Sequence, residues 1–327
     1  MKTGLAKHFK IKDLDEVNFL LSIEVTCDGK AGTIELSQQA YIEQLLKHFN
    51  LQDVNPMTTP LSSGVRLTQD NCLNTNEGRE DMGNVPYANL VRALMYATIG
   101  TRPDIAFAVG ALSCFLSNPR RHHWNEAKCT LCYLKGTANH AIHYSSSVSP
   151  TGRIMGYSHS VGMKLTELIK GFCNLDWAGC VDARRSTSGF VWMMSGSAVC
   201  WRSKLQSIVV LLSMEAEYVG ATPAVQEIIW LRDLLCELNI INDSPSVLNM
   251  DNQGAVYLTH GAGNSNKTKH IDIRYHFIHT HIEEKHIQVQ YLLMAKVTAN
   301  ILTKNLRCTK HDYFVQKLGI VARSNGY

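Results

Sequence analysis

An apolar, β-branched stretch over residues 19–25, a turn signal at Asp28-Gly29 and a return over 33–36 predict a β-hairpin. The spacing then changes. Tyr41, Leu45, Leu46 and Phe49 recur at helical intervals behind Ser37, which is suited to cap a helix, and "NPMTTP" ends it. Residues 61–83 are polar, rich in Ser, Asn, Gly and Asp, and show no period, as expected of a surface loop. Three helices are predicted next, over 87–99, 103–116 and 123–134, the second opening on Pro103 in a first turn that tolerates proline. "KGTANHAIHYSS" adds a turn and a short strand, and the Ser, Pro and Gly of residues 149–167 read as a linker. From residue 168 the order is strand, strand, strand, helix, strand, helix, helix, strand, helix. The long helix from about Ser213 contains Pro223, which removes one backbone bond and should kink it. Such an order fits one mixed sheet with helices on its faces.

Composition adds two bounds. At 327 residues, 45% apolar and 18% charged, the chain can bury two cores, so two domains are expected. No run of about 18 apolar residues occurs and "MKTGLAKHFK" lacks a signal-peptide core, so the expectation is a soluble, intracellular chain. The net charge of +4 lies wholly in residues 151–327, which hold 18 Lys+Arg against 14 Asp+Glu, while residues 1–150 hold 14 of each. That is a weak pointer to nucleic acid. The ten cysteines should be free, mostly buried thiols. Cys129 and Cys132 form the one close pair, and His122 and His123 offer poor spacing to complete a zinc site.

The organising stretch runs from Gly171 to Tyr218, opening "GFCNLDWAGC", passing through "RRSTSGFVWMM" and "AVCWRSKLQSIVVLL", and closing "SMEAEY". It resembles the first half of a ribonuclease H domain of the kind found in copia-type LTR retrotransposon Pol polyproteins. Residues 10–60, with "FLLSIEV" and "LSQQAYIEQLL", resemble the reverse transcriptase region that follows the polymerase aspartates. "PYANLVRALMYATIGTRPDIAFAV" and "NEAKCTLCYLKGT" resemble the same family's connection region. The resemblance implies a C-terminal Pol fragment. Its fold would be α/β, a ribonuclease H-like mixed sheet flanked by helices, preceded by a smaller, mainly helical thumb/connection region with a β-hairpin. The expected division is 1–148 for the reverse transcriptase part, 149–167 for the linker, 168–320 for the ribonuclease H-like domain and 321–327 for a tail. No Asp-Asp dipeptide occurs, so the polymerase palm is missing and DNA synthesis is not expected.

The chemistry implied by the resemblance is cleavage of RNA in an RNA–DNA hybrid by two Mg2+ ions, which need carboxylates converging from separate elements. The family supplies four. Glu215 matches the helix position and Asp251 the position after the fourth strand, while Asn174 and Asn300 stand where the family has aspartates. Asp176 is a possible substitute on the strand face of Asn174. It is displaced by about 6.6 Å along the strand, well over a metal–oxygen bond length. Each acid also has a plainer reading: Glu215 and Glu217 as helix-opening carboxylates, Asp251 as a helix cap, Asp176 as a hydrogen-bonded strand end near Trp177.

Arg184, Arg185, Arg202 and Lys204 flank the early strands and are expected to meet hybrid backbone. Arg120, Arg121, Lys128 and Lys135, with His122 and His123, form either a second such contact or a solvated basic face. His270, His276, His279, His281 and His286 could suggest a metal, His276 and His279 being one helical turn apart. "TKHIDIRYHFI" resembles a stock family segment, which favours a solvated helix or substrate-facing loop. Cys114, Cys129, Cys132 and Met214 replace the family's usual Arg and Thr, and with the two Asp-to-Asn changes the pattern resembles decay by cytosine deamination. The expected function is hybrid holding with ribonuclease H activity weak or absent, against a non-catalytic hybrid-binding module or a zinc-dependent structural protein.

Overall fold

The computed structural model describes residues 7–10, 12, 16–69, 82–145, 169–180, 182–209, 213–238, 240, 244–260 and 269–323. The first predicted strand is divided in two, β1 (Phe19–Leu20) and β2 (Ile23–Asp28), because Leu21 and Ser22 take left-handed φ values of 51° and 58°. Asp28 accepts the Lys30 and Ala31 N–H groups at 2.8 and 2.9 Å, fixing the turn into β3 (Thr33–Ser37). Helix α1 (Gln39–His48) has Gln38 rather than Ser37 as its N-cap residue; the Ser37 hydroxyl accepts the Gln39 N–H at 3.2 Å.

Leu45 and Leu46 of α1 bury against Leu90, Val91 and Leu94 of α2 (Tyr87–Gly100). The same core takes Val109 and Leu112 of α3 (Ala106–Ser113) and Leu131 and Leu134 of α4 (Arg121–Gly136). The helix expected over 103–116 is a 3-10 turn (Pro103–Ile105) followed by the shorter α3. Helix α4 starts two residues earlier than expected, where His123 Nδ1 accepts the Arg120 N–H at 3.1 Å.

Strand β4 (His140–Ser145) pairs antiparallel with β3, Ile142 opposite Leu36. Its other edge is taken by β10 (Ile320–Ala322), Ile320 opposite Ile142. Thus β1-β2-β3-β4-β10 form one antiparallel sheet, and Val321 and Ala322, expected as tail, are strand residues. The expected linker 149–167 lies outside the described residues.

The second sheet follows the predicted order. Strands β5 (Ile169–Asp176), β6 (Thr187–Met194) and β7 (Ser197–Leu205) form an antiparallel meander. After α5 (Ser213–Glu237), β8 (Ser246–Met250) pairs parallel to β5. After α6 (Gln253–His260) and α7 (Lys269–Glu283), β9 (Ile287–Tyr291) pairs parallel to β8. The lateral order is therefore β7-β6-β5-β8-β9. Helix α5 covers one face, with Tyr218, Ala221, Ala224 and Ile228 against Cys173, Trp192 and Leu248. Gly171 is required beneath Trp192, whose ring carbons would lie 2.5 Å from a Cβ there. No helix among the described residues is long and apolar enough to cross a membrane.

The opposite face is covered by the chain segment C-terminal to β9. Met294 and Ala295, expected to end the last strand, lie in a 3-10 turn (Met294–Lys296); residues 297–306, expected as a helix, form a second one (Thr298–Leu302), and α8 (Cys308–Lys317) follows. Ile301, Leu302, Phe314 and Leu318 share a core with Val191 and Met193 of the second sheet and with Ile142 and Ile320 of the first. The two sheets thus share one apolar layer. Beside it, Arg102 and Asp104 form a fully buried ion pair at 2.7 Å. Arg102 also donates to Thr137 O at 3.1 Å, and the Tyr133 hydroxyl donates to Asp104 Oδ2 at 2.7 Å. Burial alone would raise the Asp104 carboxyl, but the Arg102 charge and hydrogen bonds overcome it and hold it below the usual carboxylate range.

Asp104→Ala strands the Arg102 guanidinium in the interior and is expected to cost about 3–5 kcal/mol. The loss should register as a lower urea midpoint with unchanged m value. Arg102→Met combined with Asp104→Leu should lose less than the two single changes added together.

Candidate active site

The site is built where β5, β8, α5 and the 3-10 turn at Thr298–Leu302 converge. Asn174, near the end of β5, is fully buried, and its Nδ2 donates to Asn300 Oδ1 at 3.0 Å and Thr303 Oγ1 at 2.8 Å. Asn300 is itself buried, its Nδ2 donating to Met294 O at 2.7 Å and Val297 O at 2.8 Å. Two positions 126 residues apart, singled out in the sequence as amides in place of acids, are therefore direct partners.

Asp251 follows the last residue of β8. Phe172 pairs with Asn249, so continuing that parallel register by two residues sets Asp251 level with Asn174. Asp251 is not the cap of α6: Asn252 Oδ1 takes that part, accepting the Ala255 N–H at 3.0 Å. Burial raises the Asp251 carboxyl, and the Lys304 charge opposes the rise.

The helix carboxylate beside Asp251 is Glu217. It is buried, and its Oε2 has no hydrogen-bond partner. Burial first, and then the Asp251 charge, push its carboxyl well above the usual range, with Lys304 acting the other way. Glu215, the residue chosen from the sequence, is half-buried. A signal was present: Ala221, Ala224 and Ile228, four, seven and eleven residues beyond Glu217, lie on the buried stripe of α5. Lys304 was missed altogether, because a lysine beside a short turn has no period to mark it.

Asp176 is half-buried at the rim, its carboxyl raised by burial and lowered by Lys304. A groove of about 930 Å³ opens there, lined by Asp176, Arg185, Lys204, Lys304 and Arg307. Arg184, Arg202 and Lys204 are exposed, and Arg202 and Lys204 line a neighbouring hollow of about 430 Å³. On α4, Arg121 is exposed while Arg120 is buried. Lys128 lies 5.8 Å over Trp124, and Lys135 donates to Val54 O at 2.6 Å. Cys132 is buried, and half-buried Cys129 lies 3.8 Å from the Ser62 hydroxyl. Among the described residues the one cluster with metal-ligand spacing is His281, Glu284 and His286; His276 and His279 are not part of it.

Could the converging residues hold a divalent cation? Two buried oxygens lack partners, Asn174 Oδ1 and Glu217 Oε2, and Asp251 adds a carboxylate. That set suits one hard cation. A second ion fits poorly, since Asn300 contributes no charge and its oxygen already accepts from Asn174.

The strand order β7-β6-β5-β8-β9, with a meander of three and two further parallel strands, defines a ribonuclease H-like fold. The family pattern described as reverse transcriptase (RNA-dependent DNA polymerase) matches residues 1–63. The retrovirus-related Pol polyprotein from transposon TNT 1-94 of Nicotiana tabacum is 34% identical over 98% of this chain and 23% of its own length. The corresponding polyprotein from transposon RE1 of Arabidopsis thaliana is 32% identical over 97% of this chain and 20% of its own. An uncharacterized mitochondrial protein of Arabidopsis thaliana is 31% identical over 69% of this chain and 83% of its own. A solved N-terminal ribonuclease H domain from Mycobacterium tuberculosis, fused to maltose-binding protein, covers 45% of this chain and 96% of its own at 13% identity and TM-score 0.32. The chain belongs to the retrovirus-related Pol polyproteins of transposons, and it spans between a fifth and a quarter of the length of the curated polyproteins it matches.

Glu217 offers a direct check. A carboxyl whose folded-state pKa lies above its unfolded value stabilises the fold fully only below the unfolded value, about 4.3, and that contribution is lost as pH rises through the folded one. Glu217→Gln should therefore raise stability at pH 7–8 in metal-free buffer, by about 1–3 kcal/mol. The same change should remove any Mg2+-dependent rise in melting temperature. An unaltered melting curve at pH 8 would remove Glu217 from the site.

Proposed function

We propose that this chain is the part of a transposon Pol protein that holds RNA–DNA hybrid, and that its ribonuclease H activity is weak or absent. The observation that carries this reading is the hydrogen bond between Asn174 and Asn300, at two positions where the family resemblance calls for carboxylates. In an acidic pair a metal would be needed to relieve repulsion; in an amide pair the donor of one meets the acceptor of the other. The proposed division is a reverse transcriptase-derived part, 1–148, and a ribonuclease H-like part, 168–320, working inside the cell.

The residues present divide the labour. Glu217, Asp251 and the Asn174 oxygen would hold one Mg2+, which when bound supplies activation of water and charge at phosphorus. Arg185 and Lys204, on the groove beside Asp176, would pair with phosphates of the hybrid. Lys304 would neutralise part of the acidic charge in the absence of metal.

Two measurements test the proposal. In chelator, the chain should shift a labelled RNA–DNA hybrid, and replacing Arg184, Arg185, Arg202 and Lys204 with Ala should flatten the log–log salt slope by up to about four. A slope that does not change would remove that patch from the interface. In Mg2+, the unmodified chain should cleave hybrid weakly or not at all, whereas Asn174→Asp with Asn300→Asp should cleave hybrid but not duplex DNA, for want of 2′-hydroxyls. Asn300→Asp alone should do little. Robust cleavage by the unmodified chain would overturn the reading of Asn174 as a lost ligand and make Asp176 the residue to change next.

A further inference from the structure

Away from the convergence of β5, β8 and α5, the corner joining α7 to β9 gathers three ligand-type side chains. His281 lies in the last turn of α7, while Glu284 and His286 lie in the connection to β9. The two Nδ1 atoms are 3.0 Å apart, and Glu284 Oε2 is 3.5 Å from His281 Nδ1 and 3.3 Å from His286 Nδ1. A tetrahedral ion with bonds of 2.0–2.1 Å has ligand atoms about 3.3 Å from one another. The observed triangle has that size.

The arrangement is poorly satisfied by protons alone. One proton shared between the two ring nitrogens leaves the carboxylate oxygen facing a lone pair. A proton on each of the two Nδ1 atoms sets two N–H donors against each other at 3.0 Å. A divalent cation satisfies all three ligands together.

The backbone fixes the triangle in place. The Glu284, Lys285 and His286 N–H groups donate to Thr280, Ile282 and His281 carbonyls at 2.9, 3.0 and 2.9 Å. Lys285 takes the left-handed φ of 59° that reverses the chain, and the His286 carbonyl accepts the Ser246 N–H at 3.0 Å, tying the corner to β8. Phe277 lies edge-on to the His281 ring at 4.7 Å and limits its rotation.

We infer that His281, Glu284 and His286 form a binding site for a borderline transition cation of the Zn2+ class, with a fourth position open to water. Two imidazoles select against Mg2+ and Ca2+, which prefer oxygen donors. The ion would clip the end of α7 to the start of β9, at the edge of the sheet remote from β7.

The test uses the full chain, stripped with chelator and dialysed. Titration calorimetry with ZnCl2 should show one equivalent bound and a rise in melting temperature, and MgCl2 should not compete. Co2+ should give the visible absorption of a four-coordinate ion. His286→Ala, at a side chain 41% exposed and so tolerant of change, should weaken Zn2+ binding at least about tenfold and abolish the Co2+ band. Glu284→Gln should weaken binding less. Glu217→Gln should leave Zn2+ binding unchanged, which separates this corner from the carboxylates beside Asn174. Absence of stoichiometric Zn2+ binding by the unmodified chain, or binding that survives His286→Ala at full strength, would overturn the inference.

Discussion

The buried pair of Arg102 and Asp104 sets the terms for the rest of the molecule. Two charges removed from water are tolerable only when every remaining donor and acceptor is met. Here the partners come from far along the chain: Tyr133 and Thr137 from α4 and its cap, and His311 of α8, whose Nε2 lies 3.4 Å from the Asp104 carbonyl. Satisfying the pair therefore fixes the helical layer and the C-terminal segment against each other. With α8 so placed, β10 reaches β4, and the turn bearing Asn300 and Thr303 is pressed onto β5. The polar core of one layer thus sets the geometry of the site in the other.

At that site, shape and charge have separated. The strand order, the register of β8 on β5 and the burial of Glu217 keep the ribonuclease H-like frame. Within it, the Asn174 and Asn300 amides form a hydrogen-bonded pair that needs no ion to be stable. What remains of the acidic set is Asp251 and the buried Glu217, whose carboxyl burial and the Asp251 charge push up and the Lys304 charge pulls down.

Much of this was legible in the sequence, and the misses have physical causes. The apolar, β-branched and aromatic runs at 187–205 and the helix behind Ser213 placed the second sheet in the correct order, because such runs bounded by turn residues mark strands. Strand β10 has three residues and a partner 178 positions away, Ile320 against Ile142, so nothing local announces it. Glu215 and Glu217 are both acids in the first turns of α5, and the buried stripe that follows takes in Glu217 while Glu215 stays half-buried. Asn252, one residue past Asp251, could equally have been read as the cap, and the structure gives it that part. The histidines were seen as a group, but their pairing depends on the reversal at Lys285, a left-handed residue that no pattern marks.

The seating of β10 on β4 also bears on the order of events during synthesis. A chain emerging N-terminus first can assemble β1 to β4 and the helices packed on them, but the edge of β4 then waits for a strand made some 178 residues later. In that interval the edge displays unpaired N–H and C=O groups, the usual invitation to pairing with another molecule. The contact that ends the wait spans more than half of the chain, so it is among the slowest to form by loop closure. Any message cut short before Ile320 would yield a polypeptide with most of its helices and a permanently open edge, a product disposed to self-association.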